Sequence, residues 1–522
     1  MNLLSDSWMP VIRQDGTVVK SSPANITENL TPNPIVGVKV PRADLKGAIY
    51  QFLVGVLQTA FLPEDEDEWL KYWRTPPTPD SLREAFHSVG HAFEIDAENG
   101  PAFMQDFDLP EGIEKSISVL LIETPGANAE SHNTDHFVKR GQIERISAYW
   151  AAMALFALQI NSPAGGAGIR VSLRGGGPLT TMVLPPDDSK HHTLWHQLWL
   201  NVLTQEELED LTGNMELSEE SDIFPWMGNT RTSGKKGMET YPQHGHPLQM
   251  YWSMPRRIRL HWERGLQTVC GLSGEIADTQ VRTFHTKKHG TNYAGAWIHP
   301  LTPYVIDPEK EPISIKAQPG GLGYRHWLGL VANDGKRHRS PALIVQIYLD
   351  SRQDLIDGDQ DARLWVFGYD MDNMKARCWY ESTMPVFHLP VDRIDDISHL
   401  VNQMIGAASD AVSSLRYSIK QAWFSRPKDA KGDLSFVDAN FWQGTEMQFY
   451  NALKTITLHA DSEKTVLDKW RSTIMATALE TFDKFALSGE KRGGGMKRLV
   501  KARSELNNGL TNRNSIKALK AA

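Results

Sequence analysis

Histidine pairs are the first residues of this chain whose spacing could support chemistry. His192 and His196 stand four residues apart, so one face of a helix could present both imidazoles to a metal ion. The glutamate that accompanies such a pair in a hydrolytic zinc site is missing, and we interpret both as surface histidines. His244 and His246 lie in a loop rich in proline and glycine, with no acidic or thiol companion, and receive the same interpretation.

A nucleotide-binding phosphate loop is the second possibility. It requires a glycine, four residues, and then Gly-Lys-Ser or Gly-Lys-Thr, so that backbone N–H groups and one lysine surround the phosphates. Gly228 and Gly234 come close, but five residues separate them, and Lys236 stands in place of the hydroxyl residue. Cys378 adjoins Arg377, which could lower the pKa of a thiol, yet no histidine-centred triad can be assigned to it. The alternative of an enzyme, such as a nucleotide hydrolase, therefore lacks a catalytic set.

A loop of very small residues stands out instead. Residues 163–168 read Pro-Ala-Gly-Gly-Ala-Gly, which places Gly165, Gly166, Ala167 and Gly168 in succession. Such a run lets the backbone approach a ligand where a larger side chain would collide with it. The minor groove of DNA is narrow and presents acceptors that suit backbone N–H donors. A tight turn from a helix to a strand would use the same residues, and both interpretations stay open at this point.

Basic residues gather in three further places. They are the adjacent Lys287, Lys288 and His289; Arg256, Arg257 and Arg259 in a strand-like segment that places two of them on one face; and residues 336–339, which read Lys-Arg-His-Arg. Each cluster alone is typical of a solvated loop. Together the clusters favour a basic groove on an acidic body, which would suit binding without chemistry.

The overall charge is compatible with that interpretation. The chain has 522 residues, with 55 Lys plus Arg against 63 Asp plus Glu, and a formal net charge of −8. This balance argues against a protein that coats DNA with a uniformly basic surface. A local basic stripe can still neutralise phosphates on an otherwise acidic protein.

The elements that must position these residues change in character along the chain. Residues 1–385 mix helical stretches with short runs of branched and aromatic residues bounded by Gly, Asp or Asn, which are typical of strands. The predicted helices cover residues 45–61 and 143–160. The predicted strands cover residues 16–20, 171–174, 342–349 and 364–369. We expect this part to be a large mixed α/β domain with long loops.

Residues 386–522 are predicted to be almost entirely helical. Apolar residues recur there at steps of three and four over residues 394–419, 447–456, 466–485 and 496–510. Four amphipathic helices with short connections predict an antiparallel four-helix bundle, and the whole chain is predicted to be of the α+β class. Residues 491–522 hold nine Lys or Arg and one acid, so this end presents either a solvated face or one that contacts a phosphate or a partner.

A cytoplasmic location is expected. The first residues lack a basic start followed by an apolar core, so we expect no secretory signal. The longest uncharged stretch, residues 146–169, contains a proline and three glycines and is not expected to span a bilayer as a regular helix. Cys270 and Cys378 are the only cysteines, which excludes a disulfide scaffold and a zinc site that needs several thiolates.

The order of several short segments identifies a family resemblance. These segments are Asn2-Leu3-Leu4 with Trp8, Pro10 and Val11; Phe103-Met104-Gln105; Phe137-Val138 with Gly141-Gln142; Ser172-Leu173-Arg174-Gly175-Gly176 with Pro178, Thr180 and Thr181; Gly295 with Trp297, His299 and Pro300; and Gly368-Tyr369. In this order and spacing they resemble the CasA family, the large subunits of type I-E CRISPR Cascade complexes. The resemblance covers essentially the whole chain, although no single motif is as specific as a metal signature.

The resemblance implies a non-catalytic subunit that works inside a ribonucleoprotein. Members of the family hold the 5′ handle of the guide RNA, find the protospacer-adjacent motif (PAM) in double-stranded DNA and start duplex opening. Guide pairing then reads the remaining sequence. The partners implied are other Cascade subunits, the CRISPR guide RNA, double-stranded target DNA and the helicase-nuclease of the system. No cofactor and no membrane contact are expected.

The family's functional residues carry over onto four segments. Gly165, Gly166, Ala167 and Gly168 would read the PAM from the minor groove, and Lys288 would be the lysine finger that enters it. A hairpin at residues 370–375, with Asn373 and Met374, would be the wedge that parts the strands. Within the loop at residues 124–142, Phe137, Val138 and Lys139 would dock at the guide handle.

The chain departs from the family pattern at three places. Ala167 stands where a well-known member has glycine, so the backbone approach there is expected to be looser. The wedge has no glutamine: Asn373 could offer an amide, whereas Met374 could unstack a base step, and we rank Asn373 first. Some members hold zinc with four cysteines, but only Cys270, followed by Ser273, remains at that place, so we expect no metal ion.

A function of a different class remains as an alternative. The chain could be a scaffold subunit whose basic bundle binds protein partners and which does not read DNA. Such a protein would keep its function after loss of Lys288 and of the hairpin at residues 370–375.

Overall fold

A computed structural model of the chain provides the structure. It describes residues 1–109, 111–126, 129, 131–132, 141–213, 219–335, 338–356, 362–372, 374–387, 389–429, 431–488 and 495–521. Internal contacts divide the chain into two compact units. Unit 1 comprises Met1–Ala317, Ala342–Gln360 and Trp365–Tyr380, and unit 2 comprises Gln318–Pro341, Asp361–Leu364 and Glu381–Ala522. The functional domains predicted for residues 1–385 and 386–522 stay a prediction.

Helices and small sheets both contribute to the described chain, which confirms the α+β class. The helices are α1 (Ala43–Ala60), α2 (Glu66–Arg74), α3 (Pro79–His87), α4 (Ala148–Asn161), α5 (Leu194–Trp199), α6 (Gln205–Thr212), α7 (Leu343–Ile347), α8 (Gln353–Leu355), α9 (Ile394–Trp423), α10 (Ser435–Leu458), α11 (Glu463–Ser488), α12 (Gly495–Asn512) and α13 (Asn514–Ala521). None of these described helices is both long enough and apolar enough to cross a membrane.

The strands are short apart from two hairpin-forming pairs. They are β1 (Met9–Arg13), β2 (Val18–Ser21), β3 (Ile35–Val38), β4 (Ile113–Ser116), β5 (Ile146–Ser147), β6 (Thr180–Leu184), β7 (Glu239–Thr240), β8 (Arg257–Glu263), β9 (Thr268–Val269), β10 (Ile276–Ala277), β11 (Gln280–Lys287), β12 (Asn292–Tyr293), β13 (Tyr304–Val305), β14 (Ile313–Ser314), β15 (Arg339–Ser340), β16 (Arg363–Asp372) and β17 (Lys375–Pro385).

Two sheets of unit 1 carry the segments singled out from the sequence. Strand β11 lies at the centre of one sheet, pairing with β8 along one edge and with β4 and β5 along the other, all antiparallel. The second sheet has the strand order β17-β16-β6. Lys288 follows the last residue of β11 directly, and the predicted wedge is the connection between β16 and β17. Each segment is therefore held at the end of a paired strand.

An aromatic cluster forms the centre of unit 1. Phe52 of α1 packs edge-on against Phe156 of α4 and against Trp252, with ring centroids 5.9 and 6.0 Å apart. Phe93 and Phe103 join the same cluster, and all five side chains are buried. Aromatic rings bury large apolar areas and favour such edge-to-face contacts. Helix α4 is apolar on every side, as a helix inside a core must be.

Unit 2 contains the antiparallel helices predicted from the apolar repeat. Arg393 near the start of α9 donates to the carbonyl of Ile456 near the end of α10, at 3.1 Å. Arg498 at the start of α12 donates to the carbonyl of Ala422 at the end of α9, at 3.0 Å. Each of these hydrogen bonds joins the start of one helix to the end of another, so the helices of each pair are antiparallel. A short additional helix, α13, follows the four long ones.

The apolar faces of two bundle helices differ from those predicted. In α10 the buried face contains Phe441, Phe449 and Leu453, whereas Met447, which the repeat placed in the stripe, is 72 % exposed. Met496 at the start of α12 is also exposed. Apolar residues occur on both faces of α10, so a repeat of three and four has more than one consistent phase.

Two predicted strands are wrong. Residues 342–349 form α7 followed by a π-helical turn, because Ile344, Val345 and Tyr348 lie on one helical face that is buried. A short apolar run of branched residues cannot be assigned to strand or helix by periodicity alone. Residues 171–174 belong to no strand; Ser172 instead bonds through its backbone N–H to the carbonyl of Ser162, at 3.0 Å.

His196 is a core residue and not the surface histidine that the sequence suggested. It is 6 % exposed in α5, where its Nε2 lies 3.1 Å from the carbonyl oxygen of Trp73 and its Nδ1 lies 2.7 Å from the hydroxyl of Thr193. A neutral imidazole satisfies both by donating from Nε2 and accepting at Nδ1. Burial, with a smaller contribution from His191, lowers the pKa of His196 to about 3.

We expect His196 to make the fold sensitive to acid. The unfolded imidazole takes up a proton near pH 6.5, whereas the folded one resists until about pH 3, so the free energy of unfolding falls as pH drops through this window. The loss is on the order of 1 kcal/mol per pH unit. Thermal unfolding of wild type and His196→Gln, compared between about pH 7 and about pH 5, should give a smaller pH slope for the variant. Equal slopes would contradict the assignment, and the exposed His87→Gln is the matched control.

Candidate nucleic-acid interface

The glycine loop, residues 163–168, is an exposed turn that follows α4. Ala164 to Ala167 are exposed, while Gly168 is half-buried. The turn is closed by a backbone hydrogen bond from the N–H of Ile169 to the carbonyl of Gly166, at 3.1 Å. The chain therefore turns tightly here and still presents its backbone to solvent. The tight turn left open by the sequence is therefore present, although no strand follows it, and it leaves the backbone accessible to a ligand.

The glycine loop contacts the loop that carries Lys288. The backbone N–H of His289 donates to the carbonyl of Gly168 at 2.7 Å. A Cβ at position 168 would lie 2.9 Å from Cε1 of His289 and 3.1 Å from Cβ of Lys288, and the φ of Gly168 is +79°. Only glycine accommodates both this left-handed backbone and this close approach. Two segments that are distant in sequence are thereby joined by their backbones.

Lys288 itself is available to a ligand. Its side chain is exposed, and none of the residues that the structure describes forms a hydrogen bond or ion pair with it. Lys287 is exposed as well. A lysine ammonium is a strongly hydrated point charge that suits contact with phosphates or groove acceptors.

Arg256 holds the base of the glycine loop. Its guanidinium donates to the hydroxyl of Ser162 at 3.3 Å and to the carbonyl of Pro163 at 2.5 Å, and its backbone N–H donates to Gln159 at 2.9 Å. Burial lowers the pKa of Arg256 to about 10, so the group remains charged at neutral pH. Arg256 therefore positions the loop and has little surface left for DNA.

Ser233 links the same two loops from the other side. Its hydroxyl donates to the carbonyl of Gly290 at 2.5 Å, and its backbone N–H donates to the carbonyl of His289 at 3.1 Å. Arg170, just after the glycine loop, donates from Nε to the hydroxyl of Ser233 at 2.7 Å. Ser233 could not be singled out from the sequence, because a polar residue in a long loop carries no signal of the loops that it will contact.

The other arginines of this segment are also turned inward. Arg257 donates to the carboxylate of Asp106 at 2.5 Å, and Asp106 is fully buried. Arg259 donates to the carbonyls of Gly100 and Ala97 at 2.9 and 2.7 Å. The prediction that Arg256, Arg257 and Arg259 line an open basic groove is therefore wrong. In the third basic cluster, residues 336 and 337 lie outside the described part of the chain.

The predicted wedge is the tip of the β16–β17 hairpin. Met374 is 53 % exposed, and Asn373 lies outside the described residues. Below the tip, the buried carboxylate of Asp370 accepts two hydrogen bonds from Arg377, at 3.0 and 2.7 Å. This paired contact across the hairpin stiffens the stem that carries the tip.

The hairpin stem packs against the chain that follows the glycine loop. A Cβ on Gly177 would lie 2.7 Å from Cγ of Met371 and 2.9 Å from the carbonyl oxygen of Tyr369, so only glycine fits. Gly177 is also held to α4 by a backbone hydrogen bond to the carbonyl of Asn161, at 3.0 Å. One continuous segment, residues 161–177, thus connects the glycine loop with the hairpin.

Lys316 is a cation that the sequence analysis did not single out. It follows β14, forms an isolated bridge with Pro178, and places its Nζ 3.3 Å from where a Cβ of Gly175 would lie. Burial lowers its pKa. No hydrogen-bond or ion-pair partner is found for its ammonium within the described chain. An uncompensated, half-buried cation beside the segment at residues 161–177 is suited to an anionic ligand.

The predicted guide-handle contacts cannot be placed. Phe137, Val138 and Lys139 lie outside the described residues, so their role stays a prediction. Cys270 is buried, and its Sγ accepts a hydrogen bond from the backbone N–H of Ser147 at 3.2 Å. The expectation that this cysteine holds no zinc also stays a prediction.

The assembled loops offer backbone N–H groups, glycine surfaces and exposed ammonium groups. The positions predicted from the sequence that the structure brings together are the glycine loop and Lys288, which touch directly. The hairpin joins them through the intervening segment. Groups of this kind bind anions and groove edges.

Comparisons with known proteins identify the family to which the chain belongs. The sequence matches the family CRISPR-associated protein Cse1 over residues 2–481. Because the match extends over nearly the whole chain, the chain belongs to the Cse1 family. The resemblance to CasA of type I-E Cascade inferred from the sequence is thereby confirmed.

Solved structures share the fold at low sequence identity. CasA from Thermus thermophilus is 17% identical, with 98% of this chain and 100% of that chain covered and a TM-score of 0.67. Cse1 from Thermobifida fusca is 16% identical, with 100% and 99% covered and a TM-score of 0.68. A chain described as "CRISPR RNA-guided surveillance complex" is 14% identical, with 98% and 99% covered and a TM-score of 0.62.

We expect Gly168→Ala to loosen the loop that carries Lys288, whereas Gly166→Ala should leave it in place. Both glycines have a positive φ, so each substitution costs about 1–2 kcal/mol of backbone strain. Only the Cβ at position 168 would also meet His289; the one at position 166 meets nothing within 4 Å. Hydrogen exchange of residues 287–290 in the full chain should accelerate in Gly168→Ala alone. Equal exchange in the two variants would contradict the contact.

Proposed function

We propose that this chain is the large, non-catalytic subunit of a type I-E Cascade, and that it recognises the PAM from the minor groove and begins strand separation. The observation that carries the proposal is the backbone contact between Gly168 and His289, which sets Lys288 beside the glycine loop. Gly165, Gly166, Ala167 and Gly168 would approach the groove edge, and Lys288 would enter the groove.

The chemistry of the minor groove favours such a reader. A·T and T·A pairs present similar acceptors there, so recognition is degenerate, and several PAM variants should be tolerated. Backbone N–H groups and one ammonium can make a few weak contacts, which suits a protein that must test many sites. Strand separation would fall to the hairpin, where Met374 is an exposed apolar side chain at the tip. Apolar wedges are known to unstack base steps.

The proposed partners follow from the same assignment. They are the other Cascade subunits, the 5′ handle of the CRISPR guide RNA, double-stranded target DNA and the helicase-nuclease. The guide handle would meet the loop at residues 124–142. The similarity to a chain of a CRISPR RNA-guided surveillance complex supports partnership with guide RNA and further subunits.

We expect Lys288→Ala and the double variant Asn373→Ala/Met374→Ala to impair target opening in the assembled Cascade. The first removes the charge that enters the groove, and the second removes the wedge. Opening is followed by the fluorescence of 2-aminopurine placed beside the PAM, across a PAM library. If Lys288 reaches a base edge, its loss should change PAM preference by about 1–3 kcal/mol.

Lys310→Ala is the matched control for the lysine variant, since this exposed lysine pairs with Asp307 on the same unit. Assembly of each complex is verified by size-exclusion chromatography before opening is measured. Unchanged opening and PAM preference in both test variants, with assembly intact, would reject the proposal. The scaffold alternative, in which a basic bundle binds protein partners, would then take first place.

We expect Lys316→Met to weaken binding of PAM-containing duplex without changing PAM preference. A half-buried ammonium without a partner among the described residues gains most by meeting a phosphate, and phosphate contacts carry no sequence information. Loss of one such contact should reduce the slope of log affinity against log salt by about 0.9. The measurement is a salt titration of duplex affinity for the assembled complex, again with Lys310→Ala as control. An unaltered slope would exclude a phosphate contact.

A further inference from the structure

Three side chains that could ligate a metal ion meet on one face of the sheet around β11. They are His285 of β11, Glu114 of β4 and His261 of β8. Glu114 and His285 are directly opposite each other in the antiparallel register of β4 and β11. His261 is two residues beyond Arg259, the partner of His285 on β8, so its side chain lies on the same face. The pairing of the three strands therefore brings these side chains together on one face of the sheet.

The donor atoms of the three residues lie close enough together that small movements of the side chains would let all three bind one ion. Nε2 of His261 lies 3.0 Å from Nδ1 of His285, and the two rings are perpendicular. Nδ1, the other ring nitrogen of His261, lies 3.8 Å from a carboxylate oxygen of Glu114, which places the carboxylate beside this ring, although Nε2 would be the nitrogen that binds the ion. One donor atom from each of the three residues lies within 4.8 Å of the others. Ligands of a tetrahedral zinc ion stand about 3.3 Å apart, given zinc–nitrogen distances of about 2.0–2.1 Å.

The donor set indicates which ion would bind. Two imidazole nitrogens and one carboxylate oxygen suit a borderline divalent ion such as Zn²⁺, with water at the fourth position. A purely oxygen-binding ion such as Mg²⁺ would not prefer two imidazoles. Thr283 adds an outer contact, because its hydroxyl lies 3.1 Å from Nδ1 of His261. Such contacts to the second ring nitrogen orient a ligating histidine.

The cluster is open to solvent. Arg259 is opposite His285 in the register, but its guanidinium donates to the carbonyls of Ala97 and Gly100 and is thereby occupied. Glu114 is 61 % exposed and His261 36 % exposed at their side chains, so an ion can reach them from solvent and Glu114 can adjust.

Contrary to the expectation from the sequence that the chain holds no metal ion, we propose that Glu114, His261 and His285 form a site for a divalent transition-metal ion, with Zn²⁺ as its biological occupant. Bound there, the ion would tie β4, β8 and β11 together just before the chain enters the Lys287–Lys288 loop. The site shares no residue with the segment around Cys270, and it does not depend on whether the chain reads DNA.

The test titrates metal into the full chain after removal of metal with a chelator. Co²⁺ serves as the spectroscopic probe, since its visible absorption reports tetrahedral coordination, and Zn²⁺ affinity follows from competition with a chromophoric chelator. We expect wild type to bind one equivalent. His261→Ala, His285→Ala and Glu114→Gln should each weaken binding at least about tenfold, as loss of even an outer contact can.

His87→Ala is the control, because His87 is exposed at the end of α3, far from this sheet in sequence, and the chain has 18 histidines that could bind metal adventitiously. Glu114→Gln is conservative at an exposed position, so it retains the fold even if a histidine variant does not. Zn²⁺ should also raise the thermal midpoint of wild type and of His87→Ala by similar amounts, and that of Glu114→Gln by less. Absence of binding by wild type, or equal binding by all variants, would overturn the proposal.

Discussion

The hydrogen bonds that Arg256 makes with Ser162 and Pro163 are the interaction on which the candidate interface depends. Because part of the Arg256 guanidinium is shielded from water, its N–H donors need acceptors in the protein, which Ser162 and Pro163 provide. The planar fork of arginine also binds in one orientation only. The base of the glycine loop is therefore held rigidly, while its tip remains exposed. A loop anchored at its base in this way holds its backbone in one position, so the residues at the tip need no large side chains to fix it.

This constraint separates two kinds of cation in the same region. Arg256, Arg257 and Arg259 belong to the interior, where they meet carbonyls and the buried carboxylate of Asp106. Lys287 and Lys288 stay in water at the end of β11. The three arginines therefore stabilise the structure of this region, whereas the two lysines remain exposed and available to a ligand. That division would suit the weak sampling of DNA proposed for this chain, since few exposed charges keep non-specific attraction to phosphates modest.

The sequence predictions were correct where a feature depends on residues close together in the chain, and wrong where it depends on contacts with distant segments. The helices predicted at residues 45–61 and 143–160, the second of which begins only at Ala148, and the long bundle helices were predictable because apolar periodicity is local. The strand predicted at residues 342–349 was wrong, since a short branched run fits either structure until its neighbours are known. His196 was misjudged for a similar reason: its burial comes from α5 packing beside Trp73, which lies far away in the chain.

By itself the sequence determined the fold class and the family to which the chain belongs. It also identified the glycine loop and the basic cluster that contains Lys288. These features depend on composition, spacing and order along the chain. Only the tertiary structure decided which of these residues meet. It joined Gly168 to His289, turned Arg256 inward, and brought Lys316 beside Gly175 and His261 beside His285. Contacts between distant segments are set by strand register and by close backbone approach. Neither strand register nor close backbone approach can be predicted from the local pattern of residues.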